Sequence, residues 1–351
     1  MFEIVIKSNS GNYRIAIGSS SNFIDLDGYA IVDNNLANHL STSSKNCIFV
    51  EASESIKTLT SCESLILKLN DLGLKRGDLL NAVGGGTIQD IATLTASLYM
   101  RGVPWIYYPT TLMSMTDSCM GGKSAINAGV RKNLVGNFYP PSEVIIDTKF
   151  LETNSKIDIV NGLSEAVKIN FARNENSFTR FLELPSSLFP QNNLETAELI
   201  YLTLSSKQWF VEIDEFDLKE RQLLNFGHSF AHALESATQY AIPHGTAVGI
   251  GMIAALRHPE SKNSQKTNLL KEYCTKLLEI TKPLIANGYG SFDPSQFINS
   301  LDRDKKNSNE FLKLVLVNKS DELELMSLPR NRHQLEICLF VLEEAISEVL
   351  A

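Results

Sequence analysis

At 351 residues the chain is too long for one small core and is read as two domains. Hydrophobic residues make up 43% and charged residues 21%, ordinary for a globular protein, and a net charge of −8 leaves no basic surplus to neutralise a nucleic-acid backbone. No apolar run approaches the roughly 18 residues that span a bilayer, so neither nucleic acid nor membrane is an expected partner. Anionic small molecules stay open, because a local basic pocket can sit in an acidic protein.

Five scattered cysteines, odd in number and without a CxxC pair, read as reduced thiols and not as a disulfide frame or a zinc knuckle. The start, MFEIVIKSNSGNYRIAIG, lacks the basic and apolar regions of a signal peptide. The expected location is therefore cytoplasmic.

Residues 1–18 alternate around SNSGN and predict a β-hairpin. YAIVD (29–33), NCIFVEA (46–52), LLNAV (79–83) and VPWIYYPTT (103–111) are short apolar runs that suit parallel strands. Helical periodicity covers 55–74 and about Ile88–Met100, and this alternation predicts a parallel, Rossmann-like α/β domain over residues 1–150. The remainder, 151–351, is expected to be mainly helical, with helices at 159–173, 192–212, 219–237, 245–257, 262–286 and 333–350 and one clear strand, KLVLV, at 313–317.

VGGGTIQD (83–90) combines a strand end, a glycine turn and a helix start, the arrangement that lets a backbone approach a pyrophosphate. It is not GxGxxG, and a tight turn without a ligand fits as well. Asp33, ending an earlier strand, suits either a ribose or a plain turn. The segment 109–141 is rich in glycine and polar residues, including Asp117, Lys123, Asn127, Lys132 and Asn133, and reads as a long functional loop. Its two lysines could hold a phosphate or be merely solvated.

The densest constellation is RQLLNFGHSFAHALESA, Arg221 to Ala237. Read as one helix, it stacks Arg221, Asn225, His228, His232 and Glu235 on a single face. Gly227 inside that pattern costs about 1 kcal/mol relative to Ala, so a close approach to the backbone is expected there. His244 follows in IPHGTAVGIGM, placing three of the six histidines within seventeen residues. GLSEAVK (162–168) puts Glu165 and Lys168 on one helical face. Glu165 with His228 and His244 would make a His₂Glu set of the catalytic-zinc type; a Glu–Lys pair kept for solubility is the bland alternative.

Taken together, GGGTIQD, YMRG, PTT, DSCMGGKSAIN, RKN, GLSEAVK, RQLLNFGHSFAHA and PHG resemble, in order and spacing, the 3-dehydroquinate synthase family of sugar-phosphate cyclases. The resemblance covers nearly the whole chain and implies a Rossmann-like NAD-binding domain followed by a helical metal and substrate domain. It implies a zinc or cobalt ion on Glu165, His228 and His244. The implied substrate pocket contains Asp117, Lys123, Lys168, Lys207, Arg221, Asn225 and His232. Asn133 and Lys132 match the family's KN pair, Asn133 as a substrate contact, Arg101 matches a phosphate contact made across a homodimer interface, and Lys306 a late lysine that closes over phosphate, with Lys305 beside it. For NAD the matching positions are Asp33, Asn35, Glu54, Lys57, Gly84, Gly85, Gly86, Thr87, Asp90, Thr110, Thr111, Asp117, Lys132, Phe150 and Thr153. Glu235 receives no role.

The implied reaction converts 3-deoxy-D-arabino-heptulosonate 7-phosphate to 3-dehydroquinate and phosphate by transient NAD-dependent oxidation, phosphate elimination, reduction and intramolecular aldol closure. Arg221 and Lys207 match positions that hold the substrate carboxylate, which favours this cyclase or an amino analogue over cyclases of sedoheptulose 7-phosphate or glucose 6-phosphate. A metal-dependent NAD polyol dehydrogenase would not need the DSCMGGK and RKN segments. Three departures, HGTAV for HGEAV, GHSFAHA for GHTFGHA and DSCMGGK for DSSVGGK, leave the implied metal ligands in place. They imply a divergent branch, open to a specialised-metabolism or surface-polysaccharide role.

Overall fold

The computed structural model describes residues 1–18, 28–40, 46–129, 131–190, 194–304 and 306–351. Two compact units are present: Met1–Asn154 with Phe189–Phe216, and Ser155–Leu188 with Asp217–Ala351. The expected boundary at residue 150 lies four residues before the first crossing. The segment Phe189–Phe216, expected in the helical part, packs with the α/β part.

The first unit is built on a seven-stranded sheet. Strands β1 (Phe2–Ile6) and β2 (Tyr13–Gly18) form the expected hairpin. Strand β3 (Tyr29–Asp33) has the predicted bounds, β4 is Cys47–Val50, helix α1 Leu59–Asp71, β5 Leu80–Gly84, helix α2 Gly86–Leu98 and β6 Trp105–Pro109. Helix α2 opens two residues before its expected start, because Gly86 itself adopts helical geometry behind the Gly85 cap. The segment read as one long loop instead holds a wide π-type turn at Ser114–Ser118 and two short paired strands, β7 (Ile126–Ala128) and β8 (Arg131–Val135). Their polar sequences hid them, since they pair with each other and not with the buried sheet. A further buried strand, β9 (Glu143–Asp147), completes the order β1-β2-β9-β6-β5-β3-β4, parallel except for β1.

The second unit opens with α3 (Lys156–Arg173), which a reciprocal Ser155–Asp158 capping box starts three residues earlier than expected. Helix α4 (Glu175–Glu183) follows. Helix α5 (Leu194–Ile213) then belongs to the first unit, where it packs on β1 and β2: Gln208 Nε2 donates to the Val5 carbonyl at 3.0 Å, and Tyr201 stacks on Phe2.

Back in the second unit, the predicted helix 219–237 is broken. Residues Glu220–Asn225 form a 3₁₀ turn, and α6 begins only at His228 and runs to Ala237. Phe226 is fully buried, stacked on Phe171 of α3 with ring centroids 5.6 Å apart, and Gly227 has φ of 78°. Tertiary packing of one aromatic thus outweighs local helical propensity. Helix α7 spans His244–Arg257. The stretch 262–286, expected as one helix, is α8 (Gln265–Leu278), a 3₁₀ turn, and α9 (Lys282–Tyr289), with Pro283 opening the latter. Helix α10 (Pro294–Asp302), the antiparallel pair β10 (Phe311–Val317) and β11 (Leu323–Pro329), and α11 (Arg332–Leu350) complete the unit. Among the described residues, no helix is long and apolar enough to cross a membrane.

Candidate active site

In the first unit, β5 is buried along its whole length and delivers Gly84, Gly85 and Gly86 to the start of α2. A Cβ on Gly84 would lie 2.5 Å from Ile88 Cγ1, too close to fit, and one on Gly85 3.0 Å from Thr111 Cγ2, which would have to turn aside. Gly85 caps α2 without a side chain, leaving the first N–H groups of that helix, including that of Thr87, to an anion. Thr110 donates its N–H to the Gly84 carbonyl at 3.1 Å. Asp33, at the end of the neighbouring β3, accepts the Asn35 N–H at 3.0 Å, and burial raises its carboxyl pKa. These groups occupy the carboxyl ends of adjacent parallel strands, where nucleotide sites form in open α/β sheets.

A second polar cluster surrounds Lys57. Its Nζ lies 2.9 Å from the Asp90 carboxylate, 2.9 Å from Asn133 Oδ1 and 3.8 Å from Glu54. Asn127 Nδ2 donates to Glu54 Oε1 at 2.8 Å, and the Ala125 N–H donates to Asp90 at 2.8 Å. Burial raises the Asp90 carboxyl pKa in spite of Lys57. Asn133, matched to the substrate, is thus tied to residues matched to NAD. Lys132 and Arg101 are exposed, and Met100 and Arg101 carry φ of 48° and 66° at the end of α2.

Lys207, from α5, donates to both the backbone carbonyl and the carboxylate of Asp117 in the π-type turn. Lys123 Nζ stands 5.9 Å above the Phe138 ring. Thr153 Oγ1 closes a 3₁₀ turn on the carbonyl of the buried Phe150 at 2.7 Å.

In the second unit three helices converge. Glu165 sits in the buried middle of α3, while His228 and His244 are the first residues of α6 and α7. Two glycine contacts permit this. A Cβ on Gly245 would fall 2.2 Å from the Asn161 Cα, one turn of α3 before Glu165. A Cβ on Gly251 would fall 2.2 Å from the Gly227 carbonyl oxygen, and one on Gly227 2.8 Å from the Met252 nitrogen. The close approach expected at Gly227 is therefore the α6–α7 crossing.

His228 Nε2 and His244 Nε2 lie 3.4 and 3.3 Å from the same oxygen, Glu165 Oε1, while Lys168 Nζ bonds Oε2. Both Glu165 and Lys168 are buried. Burial opposes the charge on Glu165, but Lys168 and His228 hold its carboxyl well below the usual range. Burial and Lys168 push the His228 imidazole down. His244 goes the other way: against burial, hydrogen bonds to Glu165 and Glu235 push it up to about 10. At this point one carboxylate oxygen and two imidazole nitrogens lie within 4.8 Å of one another. A divalent zinc or cobalt ion fits that donor set.

Of the stripe read from sequence, Arg221 is buried in the 3₁₀ turn, and Asn225 Nδ2 donates to the Gln222 carbonyl at 3.0 Å. His232 is exposed, its ring 5.4 Å from His228 and 5.9 Å from His244. Lys306 Nζ bonds Ser229 Oγ at 3.0 Å and lies 3.3 Å from Asp304. Lys305 is outside the described residues. Sequence reasoning missed Glu235, whose carboxylate is 3.3 Å from His244 Nδ1. Its place three residues after His232 was the available signal. The departures from the family pattern fall mainly on buried positions: Cys119, Met120, Ser229, Ala231 and Thr246.

Residues 47–161 match the family model described as 3-dehydroquinate synthase N-terminal, and residues 162–307 the one described as 3-dehydroquinate synthase C-terminal. A 3-dehydroquinate synthase of Leuconostoc mesenteroides is 37% identical over 270 residues, covering 77% of this chain and 75% of its own. One of Natranaerobius thermophilus is 37% identical over 294 residues, covering 81% and 78%. Among solved structures, a 2-deoxy-scyllo-inosose synthase complexed with carbaglucose-6-phosphate, NAD⁺ and Co²⁺ shares the fold with a TM-score of 0.82 at 22% identity, over 98% of this chain and all of that one.

Proposed function

Since this chain belongs to the 3-dehydroquinate synthase family, we propose that it is an NAD- and metal-dependent lyase that converts 3-deoxy-D-arabino-heptulosonate 7-phosphate to 3-dehydroquinate and phosphate. The observation that carries this reading is the meeting of His228 and His244 at the buried Glu165 carboxylate, with Lys168 at the same carboxylate, inside the motifs that carry the family resemblance. When bound, NAD⁺ supplies a hydride acceptor that is restored at the end of the cycle, and zinc or cobalt supplies polarisation of substrate oxygens.

The chain's own residues do the rest by position and charge. Lys168 occupies the second oxygen of Glu165, leaving Oε1 to face the two imidazoles. Arg221 is a buried cation suited to the substrate carboxylate. Lys306, held at the first turn of α6 by Ser229, supplies a cation for phosphate. Lys207, fixed by Asp117, supplies a further cation for the substrate. Gly84 to Thr87, with Asp33 on the adjacent strand, take the nucleotide. We assign the protein to the cytoplasm, in keeping with five free thiols, and to a homodimer. Leu98 and Met100 are exposed beside Arg101, which supports an interface at that end of α2.

The test is incubation of the purified chain with NAD⁺, Zn²⁺ and each of three sugar phosphates: the heptulosonate, sedoheptulose 7-phosphate and glucose 6-phosphate. Phosphate release and product identification should single out the heptulosonate. Arg221→Ala should lower kcat/KM for it by roughly 30- to 5,000-fold, as loss of a buried charge partner costs about 2–5 kcal/mol. Turnover of the heptulosonate that survives this substitution would overturn the carboxylate assignment.

A further inference from the structure

We propose that Glu235 is a positioning residue that fixes the tautomer and orientation of His244 for metal binding, an inference resting on the metal site proposed above. The two imidazoles of that site are arranged alike. Each turns Nε2 toward Glu165 Oε1, at 3.4 Å for His228 and 3.3 Å for His244. Each then has an oxygen behind its other nitrogen. For His228 it is the Phe226 backbone carbonyl, 3.3 Å from Nδ1; for His244 it is the Glu235 carboxylate, with oxygens at 3.3 and 3.4 Å.

A neutral imidazole with a proton on Nδ1 presents its lone pair on Nε2, so an acceptor behind Nδ1 selects the tautomer that binds through Nε2. The Phe226 carbonyl is available because the chain breaks between the 3₁₀ turn and α6 and leaves that oxygen outside a regular helix. His244 also follows irregular chain, residues 238–243, but among the described residues no backbone carbonyl stands behind its Nδ1. Its N-cap is Pro243, and the acceptor comes instead from Glu235, two turns beyond His228 on α6. Only 13% of the Glu235 side chain is exposed, so its charge is not spent on solvent.

A rival arrangement exists, in which His232, Glu235 and His244 together hold an ion. It would engage His244 through the nitrogen nearer Glu235, and its third member, His232, is exposed. The buried Glu165 oxygen that two Nε2 atoms already share favours the first arrangement.

The experiment measures Zn²⁺ affinity by competition with a chromogenic chelator and the visible absorption of the Co²⁺-loaded chain, for wild type, Glu235→Ala, Glu235→Gln, Glu165→Ala and His232→Ala, with circular dichroism to verify folding. Glu235→Ala should weaken Zn²⁺ by about 10- to 100-fold and alter the Co²⁺ spectrum, while NAD⁺ affinity stays within about twofold. Glu235→Gln, whose amide oxygen can still accept the Nδ1 proton, should recover much of the loss. Glu165→Ala should bind far more weakly than either, and His232→Ala should stay close to wild type. Zinc affinity of Glu235→Ala within twofold of wild type, or loss of zinc in His232→Ala with retention in Glu165→Ala, overturns the proposal. A wild-type chain that takes no zinc overturns the metal site itself, and this inference with it.

Discussion

In the first unit, the side chains matched to the cofactor come from strand ends and turns. Asp33 ends β3, the three glycines run from the end of β5 into α2, and Lys57 gathers Asp90 from the start of α2 and Asn133 from the short strand β8. In the second, the chemistry is concentrated where helices start or pass closest, with Glu165 in the core of α3 and two histidines at the first positions of α6 and α7. A strand-end site is shaped by backbone and tolerates neighbouring variation, because the sheet beneath it is fixed. The helix-start site depends on how closely whole helices approach, so the ligands proposed for it and its glycines form one device.

Removing a ligand should separate the two regions most sharply. Glu165→Ala or His228→Ala should abolish zinc by elemental analysis and cut turnover by roughly 1,000-fold or more, a loss of several kcal/mol. Lys57→Ala, by contrast, should weaken NAD⁺ binding by about tenfold and leave zinc content intact. Loss of zinc in the Lys57 variant would break the comparison.

Glycine substitutions come next. Gly245→Ala should destabilise the fold by about 2–3 kcal/mol, read by thermal unfolding, because the added methyl meets backbone at Asn161. Gly85→Ala should cost less than about 1 kcal/mol, as its nearest neighbour is a threonine methyl that can turn aside. Equal costs would remove the contrast between a site framed by helix approach and one framed by a sheet.

The smallest effect is a proton. His244 is pushed up to about 10 by hydrogen bonds that outweigh burial, so it carries its proton throughout the neutral range. Zinc requires the neutral ring and must displace that proton. Affinity should therefore rise with pH up to about 10 and level off above it. Calorimetry in buffers of different ionisation heat, at neutral pH, should find about one proton released per ion. Zero release would place the ion elsewhere.

Much of this was legible in the sequence, for reasons that differ by residue. YAIVD declares a buried parallel strand by composition, and β3 has those bounds. VGGGTIQD declares a strand, turn and helix because an apolar run meets a glycine cluster just before a helix former, and at Gly84 a side chain would meet Ile88. Glu165, His228 and His244 could be grouped because donor chemistry is written in residue type, whatever the intervening fold. The continuity of 219–237 could not be judged, since periodicity is local and the Phe226–Phe171 stack that breaks it joins residues fifty-five apart. Glu235 escaped for a related reason: its partner lies on the next helix, and a carboxylate on a polar helix face looks like any other. Helix α5 reads as one more helix of a helical half, and only its packing on β1 and β2 assigns it to the sheet.

That return of α5 has a consequence for the order in which the chain can fold as it is made. A sheet whose layer is complete at Asn154 still waits for Gln208 and Tyr201 to cover its first hairpin. Sixty-two residues separate Asn154 from Phe216, so at ribosomal speeds the wait is roughly 3–12 s. During it, α3 and α4 emerge ahead of the helix that the earlier sheet needs, and the two units must mature interleaved instead of one after the other.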